Sequence, residues 1–414
     1  MRWWSSTRLA LAAAALVLMV ITGTVVARAF ASKDGHGRPG GQAQPSAAAP
    51  SASGAPAPAA SASPDPAQKL NACVAATVAG LSPQQRVGQV LMIGTQVTNP
   101  TALADTVRRY QLGGAFLAGR ASPSAATLRQ GIQALQKSAG PIPLQVAIDQ
   151  EGGQVQTLKG ADFPLIPSAV QQGHSDDATL RSRTTDWAKR LTEAGVTLDL
   201  APVVDTVPAG TGDANPPIGA FDRQYGSDPD QVADKIHTVV SAAQGAGVLT
   251  TLKHFPGLGR VRANTDTSTQ AVDNTTAVDD PYLKPFTSGM QAGSAAVMIS
   301  SGRYPKLDAN SVAAFSTPIV TGLLRQRLGY TGLIVSDDLG AAVAVGTVPV
   351  GERAVRFIQA GGDLVLTVKA SDAGPMSAAL LAAAQANPTF DTRVTDAAAQ
   401  VIRSKYRAGL LTCR

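Results

Sequence analysis

Cysteine is almost missing: two residues in 414 leave no room for a thiolate metal cage or a dense disulfide framework. Cys73 and Cys413 belong to no Cys-x-x-Cys and to no Cys/His cluster. In an exported chain they are expected to form one terminal staple, with two unpaired thiols as the alternative. Histidine is scarce as well. His36, His174, His237 and His254 are isolated, so no metal site is expected. Aromatic residues make up only 4%, and the 35 Lys and Arg are scattered among 29 acids as RSR, KR and RQR. A nucleic-acid groove needs a concentrated basic stripe, with stacking rings for single strands. That partner class is excluded, and the net charge of +6 reads as dispersed surface charge. No Gly-x-Gly-x-x-Gly follows an early strand-like run, which weakens a dinucleotide-binding open sheet. No cofactor is expected.

The N-terminus is the exception to this even texture. Arg2 and Arg8 precede an apolar run from Leu9 to Ala27, followed by Ala29-Phe30-Ala31. Basic flank, apolar run and small-x-small site read as an export signal over 1–31. The run is also long enough to span a bilayer, so an uncleaved membrane anchor is the alternative. In either case the body is expected outside the membrane. Residues 32–68 are mostly Gly, Pro, Ala and Ser and bury too little to fold, so a tether is expected there. The folded part is expected over 69–414, as a monomer.

The body is 44% hydrophobic over the whole chain, and its apolar residues fall in a repeating pattern. Short apolar runs occupy 89–94, 113–117, 144–148, 197–201, 248–253, 295–299, 332–336 and 363–367. Helix-like segments rich in Ala, Gln and Leu separate them, such as 104–110, 124–138, 184–194, 230–246, 317–328, 351–360 and 377–384. Runs of this kind suit parallel strands covered on both faces, and eight of them predict an α/β fold of the (β/α)8 barrel type. Chemistry in such a barrel sits just after the strands. The strand ends carry Thr95 and Gln96; Arg120; Asp149, Gln150 and Glu151; Asp205; Lys253 and His254; Ser300 and Ser301; Asp337 and Asp338; Lys369. Carboxylates, amides and cations gathered at one rim suit the hydroxyl groups of a sugar.

Several of these segments are also recognisable. IDQEGGQVQ at 148–156, LAPVVD at 200–205, NPPIG at 215–219 and DRQYGSDP at 222–229 resemble family 3 glycoside hydrolases, as do KHFPG at 253–257 and IVSDDLG at 334–340. The match is nearest to single-barrel bacterial β-N-acetylglucosaminidases of the cell wall. The resemblance implies a retaining glycosidase acting on a carbohydrate or peptidoglycan-derived substrate. It implies Asp337 as nucleophile, and Asp149, Arg223, Lys253 and His254 as substrate-binding residues; Arg120, from its strand-end position, is expected to bind substrate as well.

One stretch departs from that pattern. Where such enzymes carry Pro-Gly-His-Gly and then Asp-Ser-His, this chain has Leu258, then Asn264, Thr265 and Asp266. The imidazole of the acid–base pair is gone, and its supporting carboxylate is an amide. Gln154 likewise replaces an arginine. Asp266 occupies the register of the missing histidine and is the expected acid, provided burial raises its pKa. A simple polar turn is the other reading of 264–266. Leu258 is expected to wall the site, and Arg260 and Arg262 are available to an anionic group. Two functions follow: an exported glycosidase with atypical acid catalysis, or a catalytically impaired glycan-binding protein on the same barrel.

Overall fold

The computed structural model describes residues 65–413. The expected export or anchor segment and nearly all of the expected tether lie outside them. The folded part begins earlier than its composition suggested. A helix spans Pro66–Ala79, so residues 66–68 are folded. Asp65 accepts from the Ala67 amide at 3.3 Å, proline stands in the first turn, and the alanines that follow favour helix.

The core is one eight-stranded parallel sheet rolled into a barrel. Its strands are β1 (Leu91–Gln96), β2 (Gly114–Ala118), β3 (Gln145–Ile148), β4 (Leu198–Asp199), β5 (Leu249–Phe255), β6 (Ala296–Ile299), β7 (Leu333–Ser336) and β8 (Val365–Thr367). The order is β7-β6-β5-β4-β3-β2-β1-β8. A parallel bridge between Val335 and Leu364 brings the two ends of the sheet together. Every expected strand is present, with bounds moved by a few residues. The largest change is at the first. Gln89 ends a helix, Pro83–Gln89, and the strand runs on to Gln96.

Side-chain alternation builds two apolar layers from these strands. Met92, Phe116, Ala147, Leu198, Leu249 and Met298 point inward and fill the barrel. Ile93, Leu117, Val146, Ile148, Leu252 and Ile334 point outward against the helices. The expected helices are present; the one expected over 377–384 starts earlier, at Ala373, and two others differ more. The one expected over 184–194 starts at Asp177, where Asp176 caps it by accepting from the Thr179 amide at 2.9 Å. The one expected over 317–328 is a π-helix, Pro318–Arg327.

A last helix, Pro388–Arg407, packs against the first one. Val74, Val78 and Ile402 form a satellite core there, and Thr77 and Tyr406 share a hydroxyl hydrogen bond of 2.9 Å. Cys73 and Cys413 are disulfide-bonded across this contact, with Cα atoms 5.7 Å apart. The terminal staple therefore ties the first helix of the fold to its C-terminal end. No helix among the described residues is long and apolar enough to cross a membrane.

Candidate active site

The ends of β2, β3, β5, β6, β7 and β8 open into a cavity of about 380 Å³, towards the lower limit for small-molecule sites. Asp149, Glu151, Arg223, Lys253, His254, Asp266 and Asp337 all line it. Arg120 does not. It is exposed, and its guanidinium donates to the Gln154 carbonyl at 2.9 Å, tying two loops outside the cavity.

The floor is a compact charge network. Lys253 Nζ lies 2.6 Å from Asp149 Oδ1 and 2.6 Å from Glu151 Oε1. Arg223 forks onto Glu151, with Nη2 at 2.7 Å from Oε1 and Nε at 2.8 Å from Oε2. Its Nη1 donates to the Pro217 carbonyl at 2.8 Å. Burial works to raise Glu151, but the two cations outweigh it and bring its pKa to about 2. Burial likewise opposes the charge on Lys253, yet Asp149 and Glu151 hold it above the usual lysine range. Glu151, Lys253 and Arg223 are therefore charged at neutral pH. The half-exposed Asp149 has coordination to spare on the cavity side.

His254 rests on a second, fully buried carboxylate. Its Nδ1 lies 2.7 Å from Asp205 Oδ2, and Asp205 is 0% exposed. Asp205 also accepts from the backbone amides of His254 (3.1 Å) and Leu258 (2.7 Å). These contacts fix the ring and leave Nε2 turned toward Arg223, 3.5 Å from Nη2.

Asp337 directly follows β7. Its amide continues the sheet by donating to the Ile299 carbonyl at 3.0 Å, and its carboxyl lines the cavity. Burial raises its pKa, the His254 imidazole lowers it, and the Asp266 charge raises it further. Its neighbour has a different role. Asp338 accepts from the amides of Gly340 (2.8 Å), Ala341 (2.9 Å) and Val368 (3.0 Å), so it caps the turn. The capping use of an Asp-Asp pair therefore falls on Asp338 and leaves the Asp337 carboxyl facing the cavity.

The departing loop is well built. Leu258 is 2% exposed and packs with Val203, Val207, Ile218 and Val261 while still walling the cavity. Gly259 passes so close to strand-end backbone that a Cβ would sit 1.9 Å from the Thr206 carbonyl oxygen. Asp266 reaches the cavity rim but is solvent-exposed, so the buried setting expected for it is absent. Arg260 is not free for an anion either. It lies between Asp273 and Asp280, at 3.3 and 2.6 Å.

Glu151 and Asp205, seen in the sequence only as strand-end acids, are given no role there, and Asn215 is not singled out at all. Asn215, 0% exposed, donates to the carbonyls of Leu258 (2.8 Å) and Val261 (2.9 Å) and accepts from the Gly219 amide (2.8 Å). For Asp205 the available signal was a lone acid closing the apolar run LAPVV.

A barrel with acids, cations and one imidazole at its strand ends has the layout of an enzyme site, and the sequence matches a family of glycosyl hydrolases. Residues 83–404 match the glycosyl hydrolase family 3 N-terminal domain, and the chain belongs to that family. It is 33% identical to a beta-hexosaminidase of Xanthomonas euvesicatoria over 285 residues, 67% of this chain and 83% of that protein. It is 31% identical to the beta-hexosaminidase LpqI of Mycobacterium tuberculosis, over 71% of this chain and 75% of that one. Among solved structures, a beta-N-acetylhexosaminidase from Beutenbergia cavernae superposes with a TM-score of 0.78 at 42% identity. That match covers 79% of this chain and 99% of the other.

Proposed function

We propose that the chain is a retaining glycosidase that releases a terminal β-linked N-acetylglucosamine or related sugar from cell-wall glycans. Its relatives are beta-hexosaminidases by name, which supports the sugar class. The observation that carries the reading is the position of Asp337, a strand-end carboxyl facing a cavity whose floor is the Asp149–Lys253–Glu151–Arg223 network. Asp149, Lys253, His254 and Arg223 offer donors and acceptors for the hydroxyls of one sugar ring. Asp337 attacks the anomeric carbon, the glycosidic C–O bond breaks, and a covalent glycosyl-enzyme forms. Asp266 supplies the proton to the leaving oxygen. It then takes one from the water that opens the ester and returns the carboxylate.

The alternative, a glycan-binding protein, is favoured by one observation: Asp266 is exposed and Leu258 is buried where an imidazole is expected. Incubation with an aryl N-acetyl-β-glucosaminide separates the two readings. A glycosidase gives turnover with a β-configured first product by NMR. Saturable binding without product supports the alternative. The basic flank and apolar run before residue 31 support action outside the membrane, on a secreted or membrane-tethered chain.

A further inference from the structure

The segment from Pro256 to Asp280 joins β5 to the next helical turn without a helix or strand of its own. Connections of this length inside a compact domain are uncommon and tend to carry function. Fixing them in place needs specific anchors, because each ordered residue loses backbone freedom. This one carries Asp266 to the cavity rim.

Arg260 is its main anchor. The guanidinium donates to Asp280 at 2.6 Å, to the Thr276 hydroxyl at 2.7 Å and to Asp273 at 3.3 Å, and it lies 4.1 Å from the Tyr282 ring centre. Asp273 and Asp280 are buried, and Asp273 also accepts from the Thr275 and Thr276 amides. The Arg260–Asp280 pair spans twenty residues of sequence and closes a ring that contains Asp266. On the far side of the ring, the amides of Ala344 and Val343 donate to the carbonyls of Thr265 (3.0 Å) and Asp266 (3.3 Å). Asp266 is thus held from the loop base and from the turn that follows Asp337.

We propose that Arg260 is a positioning residue for proton transfer. It latches the loop so that an exposed carboxyl on it stays over the leaving oxygen. This rests on the reading of Asp266 as the acid. The guanidinium suits the task, because its planar fork pairs with two carboxylates while its face lies on a ring, which a lysine cannot reproduce.

The test compares two donors in the full-length protein: an N-acetylglucosaminyl disaccharide, whose leaving group needs a proton, and a dinitrophenyl N-acetyl-β-glucosaminide, whose leaving group does not. Arg260→Met is expected to lower kcat/KM about 10- to 100-fold on the disaccharide, a share of the effect of full acid loss. On the dinitrophenyl donor the fall is expected to be below about 3-fold, with Arg260→Lys intermediate on the disaccharide. Equal falls on both donors mean a merely structural role and overturn the proposal. Tyr282→Leu, which removes only the ring beneath the guanidinium, repeats the comparison if Arg260→Met does not fold. Asp266→Asn run alongside keeps the two ideas separate. If that variant slows both donors alike, the acid assignment falls. The latch then stands or falls on amide hydrogen exchange across 261–266, which Arg260→Met must accelerate.

Discussion

Replacing Glu151 by glutamine perturbs the site at its most heavily charged point. The wild-type floor balances two cations, Lys253 and Arg223, against two carboxylates, Asp149 and Glu151. Glu151→Gln leaves two positive charges facing one negative charge below the surface. It also turns one of two acceptor oxygens into a donor, which opposes Arg223 Nε or Nη2. A pKa lowered from 4.5 to about 2 corresponds to roughly 3 kcal/mol of stability carried by the ionised form. Unpairing a buried ion pair costs about 3–5 kcal/mol, so both routes agree in size. The sign follows from the depressed pKa. The contribution is complete above the unfolded value near 4.5 and disappears as pH falls through about 2. With melting entropy scaling with length, a loss of about 3 kcal/mol lowers Tm by about 4 °C in a domain of this size. Thermal melts of wild type and Glu151→Gln at pH 7 and pH 3 measure it, and the gap must narrow at pH 3. A Tm difference under about 1 °C at pH 7 would refute the assignment of Glu151 as the keystone of the network.

Lys405 is 0% exposed, with the Gln89 side chain as its partner, and burial lowers its pKa from 10.5 to about 7. Because the unfolded lysine keeps its proton to higher pH, stability must rise between pH 7 and pH 10. Lys405→Met is expected to stabilise by about 2 kcal/mol at pH 7, the desolvation relief less one lost hydrogen bond, with the gain gone near pH 10. A pH-independent effect in urea titrations would contradict this. Asp199 is the opposite case, with burial raising its pKa to about 7 against the Gln150 amide that it accepts from. Its ionisation disfavours the fold as pH climbs from 4 to 7, so Asp199→Asn should gain stability at pH 8 and not at pH 4. Reducing Cys73–Cys413 opens a 340-residue loop, and chain entropy predicts a loss on the order of 5 kcal/mol, read as a lower urea midpoint with a steeper slope because the reduced unfolded chain is less compact. Burial raises Asp337, so the acidic limb of kcat/KM is expected above the range of an ordinary aspartate.

The barrel was legible because eight apolar runs and the helices between them follow periodicity, which depends on local chemistry alone. The start of helix Pro66–Ala79 was hidden at the end of an Ala/Pro/Ser tract, where its one start signal, Asp65 before Pro66, is only two residues long. The site was legible as far as strand ends could be lined up. Asp149, Arg223, Lys253, His254 and Asp337 do converge on one cavity. What could not be read was which charges neutralise one another. Arg260 looked available for an anion because Asp273 and Asp280 lie thirteen and twenty residues further on. Arg120 follows β2 at a productive register, yet its long side chain turns to the Gln154 carbonyl. Glu151 and Asp205 were visible as strand-end acids, but their weight comes from burial, which spacing does not reveal.

Covalent trapping tests the central claim most directly. A slow-turnover N-acetyl-β-glucosaminide donor is mixed with the protein, the reaction is quenched, and peptides are mapped by mass spectrometry. A glycosyl ester is expected on the peptide holding Asp337, with its site at that residue, and it is expected to be lost in Asp337→Asn, which should still bind the sugar. Saturable sugar binding with no adduct on Asp337, or an adduct on another carboxylate, would contradict it.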